Sequence, residues 1–127
     1  MDGNTLYFNN PSLGTFARVT MDPSSGRKVG DVNVITSGLG PDHFEIDEQQ
    51  LSAYMTNPVD KQLLRIGLAT GLYDVVADGL PGPTTARWIS EKERGKVLYV
   101  ATGGGVDEGL AQNVTLGGAI YRVSVKA

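Results

Sequence analysis

The chain has 127 residues, 40% apolar and 20% charged, with a net charge of −3; one domain can bury a real core here, and no basic footprint for nucleic acid or an anionic membrane exists. The absence of cysteine excludes disulfides, thiolate chemistry and Cys-type zinc sites. No apolar run reaches membrane length, and "MDGNTLYFNN" has neither a basic start nor an apolar segment, so a soluble, cytoplasmic protein is expected.

Short β-type runs alternate with Gly, Pro, Asn and Asp clusters, and no long 3.6-residue period occurs, which predicts an all-β fold. The first run is Thr5–Asn9. In the middle of the chain a complete set can be laid out: His43–Asp47, turned by "DEQQ"; Leu51–Thr56, with Ala53 and Met55 on one face and Tyr54 on the other; Gln62–Ile66; and Tyr73–Ala77. The mixed-sign "EKERGK" at 91–96 reads as a solvated turn, and Gly118–Val125 is the last run.

The runs repeat. "LYF" at 6–8, "AYM" at 53–55 and "LYV" at 98–100 are spaced by 47 and 45 residues. Each is followed by an apolar strand with an arginine: "FARV" at 16–19, "LLRI" at 63–66 and "IYRV" at 120–123. Between units stand "GLGP" at 38–41 and "GLPGP" at 79–83. Units of this size, with four antiparallel strands, match β-propeller blades. Repeats at approximately 1–39, 40–80 and 81–127 make a single segment of about three blades, half of a six-bladed ring, with roughly ten strands and one strand missing at each end. The alternative is a β-sandwich built from the same hairpins. A three-blade arc leaves blade faces and strand edges open, so either further N-terminal blades or a second copy is expected to complete the ring.

Within a blade the strand direction alternates. The links "NNPSLG", "SGLGPDH", "TNPVDK", "GLPGPTT" and the glycine-rich 103–118 therefore emerge at one end, opposite tight turns such as "DPSSG" and "LATG". A rigid scaffold carries its function in such loops; the 103–118 segment is either a lid or a plain connection. Asp42 follows Gly40-Pro41 at the head of a channel-lining strand and is either a local backbone acceptor or a carboxylate facing the channel mouth. His43, the single histidine, is either a structural residue or a group suited to proton transfer. Asn57, Thr84 and Thr102 add hydrogen-bonding groups at this end. Phe44, Ile46 and Met55 are expected between blades, and Trp88, on the inner strand "TTARWIS", belongs either there or against a substrate. No Ser/His/Asp order and no metal-like His/Glu spacing occurs.

"GPDHFEID…AYMTNP", "GPTTARW…KVLYVATGGG" and "GGAIYRVSV" together resemble the C-terminal half of the SMP-30/gluconolactonase-like six-bladed propellers, in particular a fungal-type branch. The resemblance implies a ring binding a small organic molecule at the channel mouth. It also implies that Asp42, after Pro41, matches the Asp of the family's divalent-metal site (calcium or zinc), whose Glu and Asn partners belong to blades absent here. His43 stands where that family carries Gly. Two enzyme readings follow: a secondary-metabolism enzyme that shapes a reactive substrate with Asp42 and His43, or a metal-dependent lactone hydrolase with Asp42 as ligand. A third reading is a non-catalytic propeller fragment or assembly module.

Overall fold

The computed structural model describes residues 4–103 and 118–125. Ten strands lie within them: β1 (Thr5–Asn10), β2 (Thr15–Met21), β3 (Lys28–Thr36), β4 (Phe44–Asp47), β5 (Ser52–Asn57), β6 (Gln62–Gly67), β7 (Tyr73–Ala77), β8 (Pro83–Trp88), β9 (Val97–Thr102) and β10 (Ala119–Ser124). Two single-turn 3₁₀ helices, Pro58–Asp60 and Glu91–Glu93, interrupt the links. The strands make three antiparallel sheets with orders β1-β2-β3, β4-β5-β6-β7 and β8-β9-β10. The all-β arrangement of a complete middle unit between two three-stranded ones is the one expected from the repeat.

Period-2 alternation gives each sheet two usable faces. In β5, Ala53 and Met55 point toward the first sheet and Tyr54 toward the third. Phe16, Met55, Leu64 and Ile66 form one core with Leu39 and Leu68, and Phe44 and Ile46 pack against it. The Phe16 and Phe44 rings meet edge-on at 5.0 Å. Tyr54, Leu63, Ala86, Trp88, Leu98 and Val100 form the other core, with Trp88 edge-on to Tyr54 at 5.3 Å. Burying each large side chain contributes about 1.5–3 kcal/mol, so the middle sheet is held from both sides.

The structure moves two expected boundaries. Leu51 stands outside β5 with φ +48°, closing the "DEQQ" turn by donating its N–H to Glu48 O at 3.3 Å. His43 precedes β4 because its N–H is taken by the Thr56 side chain at 2.9 Å. The 103–118 segment, read as either a lid or a plain connection, lies outside the described residues apart from Gly103 and Gly118.

Candidate functional site

Four links gather at the Asp42 end beside Gly103, and each is tied to a neighbour. Leu39 N–H donates to Gly14 O at 3.0 Å, Leu80 N–H to Lys61 O at 2.9 Å, and Gly103 N–H to Gly82 O at 2.8 Å. Two glycines allow this closeness. Gly14 has φ +68°, and a Cβ there would lie 2.7 Å from Leu39 O. A Cβ on Gly40 would lie 2.6 Å from the Val59 side chain. Asn57, almost fully buried, accepts Gly40 N–H at 3.0 Å and donates to Asp60 at 3.1 Å. It braces two loops.

Asp42 is exposed, and only its backbone is fixed: its N–H donates to Thr56 O at 3.1 Å and its carbonyl accepts Asn9 Nδ2 at 2.7 Å. The carboxylate is thus held in place without being consumed by a local contact. Thr56, fully buried, accepts His43 N–H, and its single hydroxyl proton lies between the carbonyls of His43 (3.3 Å) and Thr84 (3.4 Å). This hydroxyl couples the inner strands of the second and third sheets at the mouth.

The His43 ring turns toward Glu45, with Nε2 3.8 Å from Glu45 Oε1. Nε2 is itself shielded and has no hydrogen-bond partner among the described residues. Arg87 crosses from β8 to the same carboxylate oxygen at 3.4 Å. His43, Glu45 and Arg87 therefore form a polar row at the head of two inner strands. Sequence reading passed over Glu45 and Arg87, although both sit at polar positions alternating with Phe44, Ile46, Ala86 and Trp88. That alternation was the available signal.

The other expected contributors fall elsewhere. Trp88 is buried against Tyr54 and donates Nε1–H to Ile46 O at 3.3 Å, which makes it a packing residue between sheets. Thr102 is buried and closes the base of the last link, accepting Ala119 N–H at 3.1 Å and donating to Ala119 O at 3.2 Å. Thr84 is exposed at the mouth, with its hydroxyl 3.4 Å from Ala101 O. The structure thus brings Asp42, His43 and Thr84 together at the mouth, and keeps Asn57, Trp88 and Thr102 in its framework.

The divalent cation implied by the resemblance can be tested against these residues. A hard cation needs six or more oxygen ligands. Among the described residues no three His, Cys, Asp or Glu side chains converge at Asp42 or elsewhere. The donor set does not fit a cation.

At the opposite end a cleft of about 640 Å³ lies among Asp47, Glu48, Gln49, Glu91 and Arg94. The Arg94 guanidinium grips Glu91 at 2.7 and 3.0 Å and holds its carboxyl below the usual range. Asp47 Oδ1 caps the β4–β5 turn by accepting the N–H of Gln49 and Gln50. These side chains stabilise turns, as the mixed charge of "EKERGK" predicts.

No known family's sequence profile matches the chain, and no curated protein matches it in sequence. Solved structures do match. Luciferin-regenerating enzyme superposes with a TM-score of 0.72 at 16% identity, over 98% of this chain and 44% of its own. The calcium-binding protein regucalcin from Agrobacterium tumefaciens strain C58 superposes with a TM-score of 0.66 at 21% identity, over 99% and 44%. Both are six-bladed propellers of the SMP-30/gluconolactonase-like type. The fold of this chain is that of a partial β-propeller, and the likeness read from its motifs holds at that level. The chain spans less than half the length of these structures.

No helix among the described residues is long and apolar enough to cross a membrane.

Proposed function

We propose that the chain, as three blade repeats at about 1–39, 40–80 and 81–127, serves a cytoplasmic small-molecule enzyme of the SMP-30/gluconolactonase-like type. Its ligand sits at the channel mouth around Asp42 and His43. The observation that carries this reading is the fixed backbone and exposed carboxylate of Asp42, at the end where four links meet. Asp42 accepts a hydrogen bond from the ligand, and Thr84 offers a second contact. Glu45, paired with Arg87, stands beside the ring of His43. Such a site works by orientation and a few directed hydrogen bonds, which suits the shaping of a reactive substrate in secondary metabolism. No step is routed through a metal, because Asp42 alone is a poor cation ligand.

The test is calorimetric titration of the chain with a panel of small lactones and their open hydroxy acids, with and without chelator. Asp42→Asn should weaken binding of any retained ligand at least tenfold with an unchanged far-UV spectrum. Equal affinity of variant and parent would sink the assignment. Loss of binding on chelation would restore the lactone-hydrolase alternative.

A further inference from the structure

The strand register sorts the repeat into two chemically distinct faces. Tyr7, Tyr54 and Tyr99 hold the same repeat position, and each stands directly opposite an arginine: Arg18, Arg65 and Arg122. Phe16, Leu63 and Ile120 share this leading face. On the trailing face Leu6 opposes Val19, Ala53 opposes Ile66 and Leu98 opposes Val123. Phe8, Met55 and Val100 stand beside them.

Both junctions inside the chain join a leading face to a trailing one. Tyr7 and Phe16 of the first sheet lie on Ala53, Met55, Leu64 and Ile66 of the second. Tyr54 and Leu63 of the second lie on Trp88, Leu98 and Val100 of the third. The first junction also carries a tie from Arg18 Nη1 to Leu68 O at 3.1 Å. Two faces are left largely open by the described residues, although Ala17 and Val19 on the first sheet's trailing face are buried. The leading face of the third sheet exposes Ile120 by 73% and Tyr99 by 46%, and the trailing face of the first exposes Leu6 by 49% and Val34 by 55%.

We propose that a second copy of this chain covers both, the leading face of each third sheet stacking on the trailing face of the other copy's first sheet. The contact continues an interface that the chain already makes twice. The span of 44% of a six-bladed ring means that two copies closely approach a full circle. One two-fold axis along the channel then generates both junctions, and the assembly closes. By repeat position, Arg122 donates to the carbonyl of Met21 in the second copy, as Arg18 does to Leu68. Stacking leading face on leading face would instead set Arg122 against its own copy, a like-charge contact that costs stability. Because the axis runs along the channel, the Asp42 ends of both copies open on the same mouth.

Light scattering and sedimentation of the full chain at micromolar concentration test this. A closed dimer has twice the 13.5 kDa of the chain. Ile120→Glu and Leu6→Glu, each at an exposed position, should both raise the dissociation constant at least a hundredfold and give folded monomers. Mixing the two variants should return dimer, because one of its two junctions then has both faces intact; an isologous contact would show no such complementation. Should Leu6→Glu fail to fold by circular dichroism, Val34→Glu tests the same face. A monomeric parent, open-ended oligomers, or variants that still dimerise would each overturn the proposal. Ligand titration of the monomeric variants reads the mouth separately, so assembly and binding fail independently.

Discussion

The middle and third sheets spell nearly the same strands and meet opposite fates. Tyr54 and Leu63 are fully buried, whereas Tyr99 and Ile120, at the same repeat positions, are exposed by 46% and 73%. The residues do not differ enough to explain this. A neighbour covers one leading face and no described residue covers the other. Burial in a stacked-sheet protein is thus a property of the junction, and stability is distributed by nearest neighbours.

Substitution at equivalent positions should break that equality most visibly. In the monomeric Leu6→Glu background, Leu63→Ala should lose about 2–5 kcal/mol, and Ile120→Ala should stay within about 0.5 kcal/mol. Urea denaturation midpoints decide it, and comparable losses would mean that Ile120 is already covered within one chain. A smaller contrast is expected at the site end, where Asn9 and Thr56 hold the same repeat position. Thr56→Val strands the buried N–H of His43 and should cost about 1–3 kcal/mol. Asn9→Ala removes a more accessible bond to Asp42 O and should cost about 0.5–1.5 kcal/mol. An Asn9 effect exceeding that of Thr56 would contradict the placement of the Thr56 hydroxyl between two sheets.

The smallest effect concerns the tyrosines themselves. The Tyr54 hydroxyl is buried without a hydrogen-bond partner among the described residues, and burial raises its pKa above the ordinary value of 10.0. Its neutral form is the one the fold accepts. This contribution is therefore intact below pH 10 and is lost as pH rises through the folded-state value. Tyr54→Phe should leave stability at pH 7 nearly unchanged and flatten the alkaline decline. Thermal melts between pH 7 and 11 would show it, and a parallel decline in parent and Tyr54→Phe would refute this account.

Much of the fold was legible because its signals are local. The spacing of "LYF", "AYM" and "LYV" fixed the repeat, alternation fixed the strands, and Gly-Pro turns marked the links. The candidate site was legible in part. Asp42 could be found from its place after Gly40-Pro41, but nothing in the sequence near Glu45 announces that Arg87 reaches it from another sheet. Trp88 was undecidable for the same reason: an aromatic on an inner strand faces a ligand or a neighbouring sheet according to twist and stacking.

The sequence by itself determined the β-class, the number of units and the end on which the loops lie, since period-2 patterning and turn chemistry act within a few residues. Only the tertiary structure decided which of the repeated tyrosines is buried, which polar groups meet across β4 and β8, and which faces remain open. Those outcomes depend on what stands about 10 Å away across a sheet interface, and residues that distant in space are not neighbours in the chain.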